Sequence, residues 1–320
     1  MLELQKLEGV GNVQMVEVDI PTPDSDEVLV RVNRSLISRG SELFGRYVVE
    51  HERPTSVMGY SDAGVVVEVG NQVENVTVGQ RMSMRSPHAE YVVGKMGEDG
   101  DAFLMPANVS YDQATFLTLA SGGVAWTLIP PMEPGDTVVV NGQGLVGNLC
   151  AQAVRQRQPG RVIVVDALDI RCRIAKECGA DEVINVSETD SVEAVLDMTG
   201  GRGADVVFEC VGGAGGGKSF EQAMRMVRED GIVHLIGLFQ GNAYRLDNNV
   251  AMNRMIIGGY FRTIPRMKRM EIACQMLMDG RIKTDPLITH RLPGHEADQA
   301  YHLLFNSPDE ALGVILEWDL

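Results

Sequence analysis

Residues 136–166 read DTVVVNGQGLVGNLCAQAVRQRQPGRVIVVD, and their order decides the fold. Thr137 to Val140 is a β-branched run, the mark of a buried strand. It breaks into Gly142-Gln143-Gly144-Leu145-Val146-Gly147, after which Asn148 to Gln158 reads as a helix closed by Pro159-Gly160. A second apolar strand, Val162 to Val165, ends on Asp166. Gly142 permits the tight turn, Gly144 lets the backbone approach a pyrophosphate, and Gly147 lets helix and strand pack closely. The helix start offers N–H groups and a positive dipole end to phosphates. Asp166 lies 19 residues beyond Gly147, where a carboxylate can accept both hydroxyls of an adenosine ribose. The same carboxylate repels a 2′-phosphate, so NAD(H) is favoured over NADP(H). The competing reading is a strand–helix–strand unit that binds nothing.

At 320 residues the chain is long enough for two domains. Its net charge of −16 weighs against nucleic acid and anionic membrane surfaces as partners. Cofactor phosphates must then be held by local dipoles and a few arginines. No apolar run approaches a membrane span, and Met1-Leu2-Glu3-Leu4 is not a signal peptide, so a cytoplasmic protein with no membrane partner is expected. The five cysteines (150, 172, 178, 210 and 274) lack C-x-x-C spacing and read as buried small residues of a reducing compartment.

Residues 1 to about 110 are β-rich. Val16–Ile20, Val28–Val32 and Val65–Val69 read as short strands between Pro21-Thr22-Pro23, Gly70-Asn71 and Gly79-Gln80 turns, which suggests a small irregular barrel. Asp112 to Ile129 looks like one long helix, interrupted at Ser121-Gly122-Gly123. Strand and helix then alternate to about residue 284, implying a doubly wound parallel sheet of the α/β class. The tail gives a strand, a helix from Glu296 to Phe305, and a last strand from Val314 to Glu317.

The whole chain resembles the medium-chain dehydrogenase/reductase superfamily. GYSDAGVVVEVG (59–70), VGQRM (78–82), AEYVV (89–93), GADEVIN (179–185), GRGADVVFECVG (201–212) and PLITHRLP (286–293) carry the resemblance. It implies a GroES-like catalytic domain over residues 1–112 and 285–320 and a Rossmann NAD-binding domain over 113–284. It also implies an active site in the cleft between them and a homodimer or homotetramer formed through an edge strand near Met255–Phe261. By the same resemblance Arg171 flanks the adenosine ribose, Cys210-Val211-Gly212 passes the adenine, and Gly237-Leu238-Phe239 holds the nicotinamide amide. Solvated side chains and ordinary strand-end turns are the alternatives at these positions.

The zinc site of the superfamily does not carry over. Zinc-bearing relatives place a cysteine before Gly-Ser/Thr-Asp and a Gly-His-Glu downstream. Here the segments are Ile37-Ser38-Arg39-Gly40-Ser41-Glu42, one residue longer, and Gly59-Tyr60-Ser61, with Leu117 near the central helix. Hydroxyls and a leucine cannot hold a tetrahedral zinc, so no metal is expected. The six histidines offer no substitute; His290, His295 and His302 lie in the tail. Without a Lewis acid, a hydroxyl must handle the substrate proton. Ser41 matches the proton-relaying Ser/Thr of the relatives, Ser38 stands at the vacated ligand position, and Tyr60 could donate from its phenol. Each could equally be a loop hydroxyl bonded to backbone. The relatives' relay histidine falls on Phe44. Tyr47, His51, His88 and Arg262 are the substrate-side candidates; Phe261-Arg262 resembles the Phe-Arg of polyol dehydrogenases related to sorbitol dehydrogenase.

The expected activity is zinc-independent, NAD-linked hydride transfer to or from a secondary alcohol of a small sugar, cyclitol or polyol. A zinc-free quinone or enone reductase is the alternative, favoured by the lost ligands and opposed by Asp166. A third possibility is a degenerate site that binds NAD(H) without turnover. A rival of another class comes from Gly212-Gly213-Ala214-Gly215-Gly216-Gly217-Lys218-Ser219, which satisfies the phosphate-loop pattern G-x-x-x-x-G-K-[ST]. No later strand supplies the acid that would hold Mg²⁺, since Ile232 to Leu238 ends Ile-Gly-Leu.

Overall fold

Turn-punctuated alternating strands build the first part of the chain. The computed structural model describes residues 1–50, 56–238, 246–259 and 264–318. The chain packs as two units: Met1–Ser121, Ile264–Gly280 and Leu287–Leu320 form the first, Gly122–Thr263 and Arg281–Pro286 the second.

The first unit opens with β1 (Leu2–Lys6), β2 (Val13–Glu17), β3 (Glu27–Ile37), β4 (Ser56–Val57), β5 (Asp62–Val69), β6 (Arg81–Met84), β7 (Tyr91–Lys95) and β8 (Ala102–Leu104). β1 pairs antiparallel with β2 and β4 as a small sheet. The eleven-residue β3 is the spine of the larger sheet and pairs antiparallel with both β5 and β7. Val28, Val30 and Val32 point to one face and are buried in the core with Met58, Met82 and Met84, as the period of two requires.

Two short helices follow. Ser110 starts α1 (Tyr111–Thr115) with a capping box: its Oγ accepts the Gln113 N–H while Gln113 reaches back to the Ser110 N–H. α2 (Leu117–Thr127) follows after a break at Phe116. The expected interruption at Gly122-Gly123 is absent. Those glycines lie inside α2, and a Cβ on Gly123 would stand 3.1 Å from the Leu149 carbonyl oxygen, so the residue serves close packing rather than a turn.

The second unit is a six-stranded parallel sheet. Its elements are β9 (Thr137–Asn141), α3 (Leu145–Arg155), β10 (Arg161–Asp166), α4 (Asp169–Glu177), β11 (Glu182–Asn185), α5 (Ser191–Met198), β12 (Ala204–Glu209), α6 (Gly216–Met226), β13 (Val227–Leu235), α7 (Asn248–Ala251) and β14 (Met255–Gly258). Strand order is β11-β10-β9-β12-β13-β14, every neighbouring pair parallel. Val138, Val140, Val162 and Val164 fill one apolar layer, and Val139, Ile163, Val165 and Val207 the other. That is why these strands read as unbroken β-branched runs. The chain starts at β9, winds outward to β11, and returns beside β9 as β12. Ligands of such sheets bind outside the carboxyl ends of the strands at this reversal.

α8 (Arg266–Met278) packs with the first unit, whereas the sequence reading places it in the nucleotide domain. Arg266 Nη1 donates to the Gly100 carbonyl and to Asp101 Oδ1, each at 2.7 Å. The tail gives β15 (Ile288–Pro293), α9 (Ala297–Asn306) and β16 (Gly313–Glu317), and β16 pairs antiparallel with β3. Among the described residues no helix is long and apolar enough to cross a membrane.

Candidate functional site

The glycine turn after β9 has little freedom. Gly142 adopts φ +82°, and its N–H donates to the Val165 carbonyl at 2.7 Å. At Gly147 an added Cβ would fall 1.7 Å from the Gly142 carbonyl oxygen, so no other residue fits. Gly144 differs. A Cβ there would meet nothing within 4 Å. Gly144 also caps α3 with no side-chain hydrogen bond, so no side chain competes for the N–H groups around Leu145 and Val146. An open, uncapped helix start on a glycine turn suits a pyrophosphate.

Asp166 closes this turn from the tip of β10. Its Oδ2 accepts the Gln143 N–H at 2.6 Å, and its Oδ1 accepts the N–H groups of Ala167 and Leu168 at 2.8 and 3.0 Å. Arg171 Nη1 lies 3.6 Å from Asp166 Oδ2. The buried Arg171 Nε has no hydrogen-bond partner, which leaves a donor ready beside the carboxylate.

The turns after β12 and β13 lie back to back. Gly213 N–H donates to the Leu238 carbonyl at 3.0 Å, and a Cβ on Gly237 would stand 2.4 Å from the Val211 carbonyl oxygen. Val211 Cγ2 in turn comes within 2.8 Å of where a Gly142 Cβ would be. Cys210, Val211, Gly212, Gly237 and the exposed Leu238 therefore border the glycine turn, while Phe239 lies outside the described residues. These residues fit a dinucleotide. They do not fit a triphosphate cradle: the Gly213 N–H is spent on Leu238, the Gly216 N–H on Gly213, and Ser219 Oγ donates to Glu209 Oε2 at 2.7 Å.

In the first unit, Ser38 precedes a nine-residue π-helical turn, Arg39–Tyr47, the kind of wide turn that concentrates at functional sites. Ser41 Oγ lies 2.7 Å from the Tyr60 hydroxyl and donates to Ser38 Oγ at 3.1 Å, so the three hydroxyl candidates form one chain. Burial, with the Glu42 charge adding to it, pushes the Tyr60 phenol up to about 12. Near neutral pH Tyr60 therefore keeps its proton and acts as a donor.

Two substrate-side candidates are displaced from that role. Tyr47 is only 7% exposed and stacks on Tyr301, ring centroids 5.7 Å apart, inside the hydrophobic core. His88 is 0% exposed. Its Nε2 lies 3.2 Å from Glu42 Oε2, and its Nδ1 lies 3.6 Å from Asp62 Oδ1, close enough for an ion pair. Burial alone would lower the His88 pKa, but the two carboxylates overrule it and raise it to about 9. A side chain so enclosed cannot touch a substrate. His51 and Arg262 lie outside the described residues. Glu42, Asp62 and Tyr301 were not among the candidates read from the sequence. Glu42 and Tyr301 are hydrogen-bonded across 259 residues of chain, a separation that no local pattern reports.

A family model described as zinc-binding dehydrogenase matches residues 146–275. The L-threonine 3-dehydrogenase of Pyrococcus furiosus is 28% identical over 336 residues, covering 95% of each chain. The sorbitol dehydrogenase of Bacillus subtilis is 27% identical over 348 residues, again 95% of each. A crystal structure of an Escherichia coli oxidoreductase/dehydrogenase of unknown specificity superposes with a TM-score of 0.87 over 99% of both chains at 22% identity. The family model and these relatives support placing the chain among the zinc-type medium-chain dehydrogenases. It is a dehydrogenase, and its cofactor is a nicotinamide nucleotide.

Membership raises the question of zinc, and the donor set of this medium-chain dehydrogenase does not fit the ion. Ser38 and Tyr60 are neutral hydroxyls already bonded through Ser41, Ser61 is a buried hydroxyl, and Leu117 is a fully buried hydrocarbon. Among the described residues no three His, Cys, Asp or Glu side chains are arranged to hold a metal.

Proposed function

We propose that this medium-chain dehydrogenase is zinc-independent and prefers NAD(H), moving hydride between nicotinamide and a secondary alcohol or ketone of a sugar, cyclitol or polyol. The observation that carries the reading is the Ser41–Tyr60 hydroxyl pair, 2.7 Å apart, at the segments where zinc-bearing relatives hold their metal. The nicotinamide supplies the hydride chemistry when bound. Gly142, Gly144, Gly147, Asp166 and Arg171 would hold the adenosine and pyrophosphate. In the reducing direction a ketone oxygen gains negative charge as hydride arrives, and an alkoxide is far more basic than a phenolate. Tyr60 donates its proton to that oxygen, and Ser41 keeps the phenol oriented through its own bond to Ser38.

The test is a panel of polyols and cyclitols offered with NAD⁺, and their ketones with NADH, to protein whose zinc content is measured by elemental analysis. Turnover of a secondary alcohol by zinc-free protein supports the reading. One zinc per chain, lost together with activity on chelation, would overturn it. The hydroxyl-only donor set also suits a zinc-free quinone or enone reductase, and turnover of those acceptors with NADPH, but of no alcohol, would establish that alternative.

β14 supports a homodimer or homotetramer. It is the edge of its sheet, and Met255 and Ile256 are 55% and 37% exposed on it. Light scattering of the purified protein measures the assembly directly.

A further inference from the structure

Glu42 holds the turn that carries Ser41. Its carboxylate is 1% exposed and bends back so that Oε1 accepts the Ser38 N–H at 2.7 Å. Oε2 faces His88 Nε2 and accepts from the Tyr301 hydroxyl on α9. The turn itself, the segment before β7, and α9 thus meet on one buried acid. The carboxylate ties the start of the π-helical turn to its middle.

His88 is fixed just as firmly. Its N–H donates to the Met58 carbonyl at 2.7 Å, and its ring lies against Gly59, where φ is +101° and an added Cβ would be 2.6 Å from ring Cγ. Asp62, on the far side of the ring, accepts from Ser86 Oγ at 2.7 Å. Tyr60 therefore leaves the backbone one residue after a glycine pinned by His88, while Ser41 leaves it one residue before an acid pinned by His88.

We propose that Glu42 and His88 are positioning residues that hold the Ser41 and Tyr60 hydroxyls at bonding distance. The inference rests on the reading that this pair handles the substrate proton. A buried acid between two donors fixes geometry, whereas an acid left without its cation is strongly destabilising, so the array works only complete. The charged groups facing His88 are Glu42 from the turn and Asp62 from β5, with Ser86 and Tyr301 as neutral hydroxyls. Among the described residues the Arg46 charge also acts on Tyr60 and Tyr301.

The experiment compares wild type, Glu42→Gln, Tyr60→Phe and the double variant by two readouts. The first is phenol ionisation by difference absorbance, with Tyr60→Phe identifying the Tyr60 signal. Loss of the Glu42 charge should lower the Tyr60 midpoint by about one pH unit or more. An unchanged midpoint overturns the proposal. The second is turnover with NADH of whichever ketone of the panel is reduced, a direction in which Tyr60 keeps its proton whether or not Glu42 is charged. Glu42→Gln should lower kcat by about ten- to a hundredfold, leave the NADH dissociation constant unchanged, and add nothing further to Tyr60→Phe. Additive losses would mean a merely structural role and overturn it. If Tyr60→Phe keeps full turnover, the proton-handling reading fails and the ionisation readout alone judges the positioning claim. Should Glu42→Gln not fold, nitrogen-15 histidine spectra of wild type decide: one ring doubly protonated at about pH 8 supports the array, and none overturns it.

Discussion

Asp166 accepts the Gln143 backbone N–H at 2.6 Å, so the carboxylate at the tip of β10 is a structural brace of the glycine turn after β9. On the proposed preference for NAD(H), one side chain would carry both cofactor choice and turn stability. NADH should bind at least about tenfold tighter than NADPH, because a 2′-phosphate beside this carboxylate costs about 1.4 kcal/mol or more. Asp166→Ser should narrow the gap from both ends, improving NADPH by removing repulsion and weakening NADH by loosening Gln143. Fluorescence titration of both cofactors measures it. Equal dissociation constants in wild type would sink the assignment.

The two glycines that look alike in the motif should behave differently. Gly147→Ala places a carbon 1.7 Å from the Gly142 carbonyl oxygen and should lower the melting temperature sharply or prevent folding. Gly144→Ala enters open space and should melt like wild type, yet lose about tenfold or more in NADH affinity where the added methyl meets the pyrophosphate. If Gly144→Ala binds NADH normally, the pyrophosphate does not approach this turn.

The strand–turn–helix–strand unit is legible in the sequence because its signals are local: β-branched runs, glycines at fixed offsets and a terminal acid. The family model, by contrast, matches only from residue 146 onward, past β9, Gly142 and Gly144. Helix limits are less legible. Gly122-Gly123 reads as a break, but packing against Leu149 keeps it helical, since tertiary contact outweighs glycine's weak helix propensity. Glu42 and His88 show why the rest of the candidate site is hidden. A lone acid beside a serine and a lone histidine in a loop carry no pattern. Their partnership spans 46 residues and exists only once the first unit has folded.

Tyr60 sets an expectation for pH dependence. Its phenol, pushed up to about 12 by burial and by Glu42, is protonated throughout the neutral range. Ketone reduction, which needs the proton present, should vary little with pH from about 6 to 9. Alcohol oxidation needs the rare phenolate as base and should climb steadily over the same range. Tyr60→Phe or Ser41→Ala should lower turnover by about 10²–10⁴-fold, the usual contribution of one acid–base group, with NADH affinity nearly unchanged. An oxidation rate that stays flat from about pH 6 to 9 would assign the proton to another group.

Glu209 is a buried acid that pairs with no cation among the described residues. It is 0% exposed at the end of β12, and burial raises its pKa to about 7 against the opposing hydrogen bonds from Ser219 Oγ, Asn141 Nδ2 and the Val211 N–H. A carboxyl whose folded pKa lies above its unfolded value binds its proton more tightly in the fold, so stability falls as pH rises from about 4.5 through about 7. Glu209→Gln keeps the shape and removes the titration. Its amide can donate to Ser219 Oγ and to Asn141 Oδ1, which has no partner in the native arrangement and would come into reach by an amide flip. The variant should melt close to wild type at about pH 4.5 and several degrees higher at about pH 8, with the difference opening between those values. Calorimetry across that range checks it. A variant less stable than wild type at pH 8 would mean that the three hydrogen bonds to the carboxylate outweigh its burial.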